Sequence, residues 1–224
     1  MAKQAAAPGT CYICKEPITK RTAITHLKKI HAEESGDIRY AIMVDTPRSS
    51  PYWMVLLVKP DATLDDLDES LREIWVECCG HLSAFRINGT EYISNSESGN
   101  DDFFGDTKSM KVKIQNVLIP GMTFSYEYDF GTTTELRLKV ADSIAWHKKK
   151  EKIIMAGMND AMEFPCTKCG KPAIYHYNED DDFTVLCEDC SSDEGLDECY
   201  LLPICNSPRT GLCGYEGGRY DDLP

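Results

Sequence analysis

Met122-Thr-Phe-Ser-Tyr-Glu-Tyr-Asp-Phe-Gly131 alternates aromatic and polar side chains, and the architecture follows from it. Phe124, Tyr126 and Tyr128 fall on alternate positions and point to one face of a strand. Ser125, Glu127 and Asp129 point to the other. Gly131 and the run Thr132, Thr133, Thr134 turn the chain into a second alternating strand, where Leu136, Leu138 and Val140 form the apolar set. An aromatic hairpin therefore forms the core of a central domain, with cysteine-rich segments on both sides of it.

Upstream, residues 38–45 read as a strand in which Arg39 interrupts an apolar run. Pro and Ser residues at 46–51 make a turn, and 52–59 give a second apolar strand pairing antiparallel with the first. Thr63 is an N-cap, with Asp65 and Asp66 in the first turn where negative charge suits the helix dipole. Leu64, Leu67, Leu71, Ile74 and Cys78 step at three and four and make one apolar stripe. Gly80 closes this helix in the left-handed region. Cys78 and Cys79 are adjacent, which is awkward for joint ligation of zinc, and read as core or half-buried thiols. Residues 81–87 form a strand, Asn88-Gly89 a hairpin turn, and 90–93 the return strand. Residues 94–108 make a long polar surface loop. Residues 110–118 remain open between a short helix and a strand. Residues 146–152, with His147 and a lysine run, read as a basic helical connector or a solvated face.

Three of these pieces, taken in order, resemble a known family. They are Trp53 with the Leu64 to Ile74 stripe, Gly80-His-Leu-Ser-Ala-Phe85, and Phe124-Ser-Tyr-Glu-Tyr-Asp-Phe-Gly131. Together they resemble the plasmid pRiA4b ORF-3-like family, whose members often travel on mobile elements. The resemblance covers residues 37–142, and a tail resembling residues 206–215 occurs on some members. It implies an α+β domain with an antiparallel sheet packed on helices. Thr132, Thr133 and Thr134 stand where the family continues with Asp and then Trp.

The chain carries eleven cysteines, and their spacing points to metal. Cys11, Cys14, His26 and His31 give C-x2-C-x11-H-x4-H, which suits a knuckle followed by a helix. His26 and His31 are five apart, so the last helical turn must loosen for both to reach one ion. The segment resembles the two-cysteine, two-histidine zinc-finger family. It is too short to bury a core, so metal supplies its folding energy. Cys166, Cys169, Cys187 and Cys190 give C-x2-C-x17-C-x2-C, in which each pair presents two thiolates to a shared ion. This segment resembles a zinc ribbon, with strands at 173–177 and 183–186, and it lacks the context of a thioredoxin-like redox pair. Cys199, Cys205 and Cys213 are left over. With His176 they make a further metal set, or they pack as buried thiols around Leu201, Leu202 and Ile204. Two Zn2+ ions are thus expected, and a third if that last set gathers.

The predicted fold class is α+β, an antiparallel sheet packed on helices and flanked by two small zinc-binding modules. The organisation is a disordered leader at 1–9, a finger-like module at 10–34, the central domain at 37–145 and a ribbon-like module at 160–224. A net charge of -13 and a pI near 4.8 argue against a surface that coats nucleic acid broadly. The charge is uneven. Residues 1–31 carry six lysines and arginines against Glu16 alone, while acids dominate from Asp160 onward against four basic residues. The basic finger is therefore the expected contact for nucleic acid, through Thr19, Arg21, Thr22 and Thr25. The acidic C-terminal module is the expected contact for a protein partner, or is simply solvated surface. No apolar run can span a bilayer, and the N-terminus lacks the apolar core of a signal peptide, so the expected location is cytoplasmic.

The leading functional expectation is a zinc-binding adaptor or regulator, mobile-element associated, and more a binding protein than an enzyme. The alternative is an enzyme of unrecognised chemistry with a pocket beside the hairpin over 126–131. It requires His81, Tyr126 and Asp129, with Tyr128, to converge, His81 and Asp129 acting as an oriented base. The competing reading makes these residues structural hydrogen-bonding groups.

Overall fold

The computed structural model describes residues 7–47, 50–94, 107–147, 150–178, 184–192 and 196–221. It divides into two compact units, Met1–Leu71 with His81–Asp160, and Arg72–Gly80 with Ala161–Pro224.

The first unit is dominated by one sheet. Its strands are β1 (Pro8–Cys11), β2 (Pro17–Thr19), β3 (Asp37–Asp45), β4 (Trp53–Val58), β5 (Ser83–Ile87), β6 (Thr90–Ile93), β7 (Lys108–Ser109), β8 (Thr123–Tyr128), β9 (Thr134–Trp146) and β10 (Ile153–Asn159). The order across the sheet is β2-β1-β10-β4-β3-β9-β8-β5-β6-β7. Every pairing is antiparallel except β6 with β7.

The aromatic hairpin lies where its alternation places it. Phe124, Tyr126 and Tyr128 of β8 are buried, and they stand opposite Leu138, Leu136 and Thr134 of β9. Phe85 of β5 faces Tyr126 from the other side, with ring centroids 4.8 Å apart. The β5–β6 turn uses Asn88 at φ 49° and Gly89 at φ 79°, the two left-handed residues of a type I′ hairpin. β4, Trp-Met-Val-Leu-Leu-Val, is buried at every position. Such a continuous apolar run belongs in the middle of a sheet covered on both faces. Trp53, Val55 and Leu57 share a buried cluster with Cys11, Ile18, Ala23 and Leu27. The N-terminal segment therefore covers one face of the sheet.

Two expectations are corrected here. The unit is mostly sheet with few helices, rather than a sheet packed on helices. Among the described residues α2 (Leu64–Leu71) is the longest helix, and strands outnumber helices. The N-terminal segment also does not stand apart. β1 and β2 pair with each other, and β1 pairs with β10, a strand outside the sequence reading. Gly9 permits that approach, because a β-carbon there would meet the Met158 carbonyl at 2.3 Å and the Trp53 ring at 2.5 Å. Of the expected leader, Pro8 and Gly9 are strand, and residues 1–6 lie outside the described residues. β9 runs on through Trp146, so the expected helical connector begins as strand. The expected loop over 94–108 falls mostly on residues 95–106, also outside the described residues.

Two buried polar devices hold the unit. Arg39 is fully buried and donates to the carbonyls of Leu57 at 3.4 Å, Lys152 at 3.2 Å and Glu151 at 2.8 Å. It interrupts the apolar run of β3 in order to satisfy backbone groups at the end of β4 and before β10. Asp68 of α2 is 7 % exposed and accepts from Ser83 Oγ at 2.6 Å and from the Tyr126 hydroxyl at 2.7 Å. The start of α2 is a capping box. The Thr63 N–H and Oγ1 donate to Asp66 Oδ2 at 2.7 and 2.9 Å, and the Asp66 N–H donates back to Thr63 Oγ1 at 3.1 Å.

In the second unit, β11 (Tyr175–Tyr177), β12 (Thr184–Leu186) and β13 (Leu201–Pro203) form a small antiparallel sheet in the order β12-β11-β13. α3 (Glu188–Ser191) follows β12. The π turn Arg72–Val76 continues from α2 and belongs to this unit. Trp75 is fully buried, its carbonyl accepting from Ser207 Oγ at 2.6 Å, and the Arg219 N–H donates to the Glu73 carbonyl at 2.7 Å.

Candidate metal centres

The β1–β2 turn positions the first pair of donors. The Lys15 N–H donates to the Cys11 carbonyl at 2.8 Å, the Cys11 N–H donates to the Glu16 carbonyl at 2.9 Å, and Lys15 takes the left-handed φ of 65°. This tight knuckle turns Cys11 and Cys14 to one side. The helix that follows is α-helical only over α1 (Ala23–His26) and then becomes a π turn, Leu27–His31. A π turn repeats at about five residues, which brings His26 and His31 to the same face. Cys14 Sγ lies 3.4 Å from His26 Nε2, and Cys11 Sγ lies 3.6 Å from His31 Nε2. The four donor atoms all lie within 4.8 Å of one another. Burial raises the Cys11 pKa. Burial, then the neighbouring His26 and His147, lowers that of His31. His31 is thereby kept neutral, the form that ligates metal.

The second tetrad is built the same way from two knuckles. The Gly170 N–H donates to the Cys166 carbonyl at 2.8 Å, and the Cys190 N–H donates to the Cys187 carbonyl at 3.1 Å. The Thr167 N–H donates to the Val185 carbonyl at 2.9 Å, which ties the first knuckle to β12. Cys166, Cys169, Cys187 and Cys190 gather within 4.8 Å, with Cys169 and Cys187 Sγ atoms 3.5 Å apart. Burial pushes the Cys166 thiol up, but the N–H groups of Cys187, Cys169 and Lys168 outweigh it and bring it down to about 6. The surrounding thiols, Cys169 first and then Cys187, drive Cys190 up to about 12. Four thiols this close resist joint ionisation, and a divalent cation among them removes that resistance. Among the described cysteines none is in a disulfide.

The remaining set does not come together among the described residues. Cys199 is exposed, and Cys205 is buried with its thiol 3.5 Å from the Pro203 carbonyl. His176 packs its ring against Gly211, and burial lowers its pKa. Cys213 lies 3.9 Å from Cys79, a contact between residues far apart in sequence that the spacing does not announce. Cys78 and Cys79, read as packing thiols, join Cys213 in a third group.

The candidate catalytic residues divide. His81 Nε2 lies 3.5 Å from Asp129 Oδ2, and its ring meets Tyr128 edge-on with centroids 5.7 Å apart. The Tyr128 hydroxyl accepts from the His81 N–H at 3.3 Å. Asp129 is 5 % exposed at φ 63°, and its Oδ1 accepts from the Gly131 N–H at 3.0 Å, which caps the hairpin turn. Tyr126 is fully buried and directs its hydroxyl to Asp68. Asp68 went unrecognised in the sequence, because within an amphipathic helix it looks like one more solvated acid.

Among the described residues no helix is long and apolar enough to cross a membrane. A family model described as "Plasmid pRiA4b ORF-3-like protein" matches residues 38–195. No curated protein matches the chain. Among solved structures, one titled as a protein of unknown function, MM3350 from Methanosarcina mazei Go1, is similar at 17 % identity and a TM-score of 0.45. The match covers 55 % of this chain and 71 % of that one.

Proposed function

The chain belongs to the plasmid pRiA4b ORF-3-like family, and from that premise we propose that it is a zinc-binding adaptor or regulatory protein of the cytoplasm, associated with mobile elements. The observation that carries this reading is the pair of four-donor sets, one of two thiols and two imidazoles and one of four thiols. Thiolate and imidazole donors in fours suit tetrahedral, closed, structural zinc, with no position left for a substrate. Cys11, Cys14, His26 and His31 hold one ion as a finger-like element, and Cys166, Cys169, Cys187 and Cys190 hold the other as a ribbon-like element. The plasmid in the family's description supports the mobile-element association.

The contact surfaces follow from what each element exposes. Thr19, Arg21, Thr22 and Thr25 are exposed on the N-terminal element, as are Lys28 and Lys29. This is the face offered to nucleic acid. Lys20 and Lys28 are engaged with Asp45 and Asp142, which moderates its charge. On the C-terminal element Glu188, Asp189, Asp197 and Glu198 are exposed beside Ile174 at 44 % and Tyr200 at 40 %. Acid around an exposed aliphatic and an aromatic side chain favours a protein partner with basic and apolar groups.

The enzyme reading has less support, since Asp129 caps a turn and Tyr126 serves Asp68. The test is elemental analysis of the freshly purified full chain, followed by filter binding to DNA and RNA across salt. Two zinc equivalents held by the tetrads support the metal clause, and salt-dependent affinity supports the nucleic-acid clause. Bound metal with no affinity at any salt removes nucleic acid and leaves the protein partner. Absence of zinc overturns the reading.

A further inference from the structure

The second unit brings together three thiols that the two tetrads leave over, Cys78, Cys79 and Cys213. Cys78 and Cys79 Sγ atoms are 3.6 Å apart, and Cys79 and Cys213 Sγ atoms are 3.9 Å apart. Thiolates sharing a zinc-class ion at about 2.3 Å in a tetrahedral arrangement stand roughly 3.8 Å from one another. The two separations bracket that value. Adjacent cysteines can converge here because the chain is turning, between the π turn Arg72–Val76 and Gly80 at φ 80°.

Two further observations point to a ligand. Arg209 is fully buried and sets Nη2 3.4 Å from Cys78 Sγ. A buried guanidinium beside a thiol favours the thiolate. Three thiolates around a divalent cation carry one net negative charge, which the guanidinium balances. Cys213 itself sits at φ 46°, between Gly211 at 76° and Gly214 at 66°. A β-carbon in that left-handed region is sterically strained, which glycine would avoid. The position therefore carries its side chain against the preference of its backbone.

We propose that Cys78, Cys79 and Cys213 form a third metal site, for a thiophilic cation of the zinc class held by three thiolates. Each thiol releases its proton to solvent as it ligates. Cys79 and Cys213 are exposed and Cys78 is partly buried, whereas each tetrad keeps at least one cysteine fully inside. The third site is consequently open to solvent and to exchange, so its occupancy follows the free metal level while the tetrads stay filled.

The experiment titrates Cd2+ into the reduced full-length chain and reads thiolate-to-metal charge-transfer absorption, with Tm measured alongside. Cys213→Gly is the informative variant, because it removes the ligand and relieves the strained backbone. The expected result is one fewer cadmium equivalent than the unmodified chain, with Tm unchanged or higher. In the unmodified chain, filling the weakest site should slow alkylation of Cys79 and Cys213 by tenfold or more. Cys11→Ser and Cys166→Ser should each lose one equivalent and keep the weakest one, so a failure of the tetrads is read separately. An unchanged count in Cys213→Gly overturns the proposal. So does a marked fall in its Tm, or a Cys79–Cys213 disulfide forming in the presence of excess metal.

Discussion

His26 and His31 stand one π turn apart, with ring centroids 5.2 Å from each other and the rings inclined at 63°, edge toward face. An α-helical turn would send two residues five apart to different faces. The π turn instead lets each imidazole reach its own cysteine, Cys14 or Cys11. On this geometry His31→Ala should remove one zinc equivalent and leave the C-terminal ion, and Cys166→Ser should do the reverse. A chelator should raise hydrogen exchange across residues 8–31 and 164–190 while β8 and β9 keep their protection. Acid should release both ions, because protons compete for thiolate and imidazole donors. Exchange that is indifferent to chelator would remove metal from the account of these segments.

Asp68 holds two buried donors, and their losses should be coupled. Tyr126→Phe and Ser83→Ala should each cost about 1–2 kcal/mol in urea unfolding. The double variant should depart from the sum, because both hydroxyls act on the same carboxylate oxygen. Strict additivity would mean that the shared acceptor is unimportant.

Asp66 links the capping box of α2 to Lys152, which reaches it at 2.8 Å. Burial raises the Asp66 pKa, but Lys152 and Thr63 outweigh it, so the net shift is downward from 3.8. A carboxyl with a lowered folded pKa stabilises the fold fully above its unfolded value and loses that contribution as pH falls through the folded one. Asp66→Asn should therefore be less stable than the unmodified chain at neutral pH by about 1 kcal/mol. The gap should close on acidification below 3.8. A gap that widens in acid would contradict the sign.

Arg39 donates to three backbone carbonyls from a fully buried position. Arg39→Lys keeps the charge but loses the planar fork that reaches several carbonyls at once. It should cost about 2–3 kcal/mol, measured as a lower urea midpoint with an unchanged slope. A neutral result would show that Lys152 and Glu151 find other donors.

Much of this was legible in the sequence because it is local. Alternation in 122–131 and 134–140 gave the central hairpin, and Asn88-Gly89 gave the β5–β6 turn. Thr63 marked the start of α2. The four-donor sets were legible from spacing, down to the loosened turn that a five-residue histidine separation demands. The polar devices were not. Asp68, Arg39 and Asp66 have unremarkable sequence neighbours, and their meaning lies in partners fifteen to more than a hundred positions away.

The periodic strands, the turns and the spacing of the two tetrads are already written in the chain, since each depends on residues that lie near one another or recur at a set interval. It emerges only on folding that the N-terminal donors ride on a strand of the main sheet, that β10 completes that sheet, and that Cys213 meets Cys78 and Cys79 rather than Cys199 and Cys205. Those outcomes rest on which distant backbone edges pair and which thiols a turn at positive φ presents. Such choices are set by the whole packed core, and no short window of sequence records them.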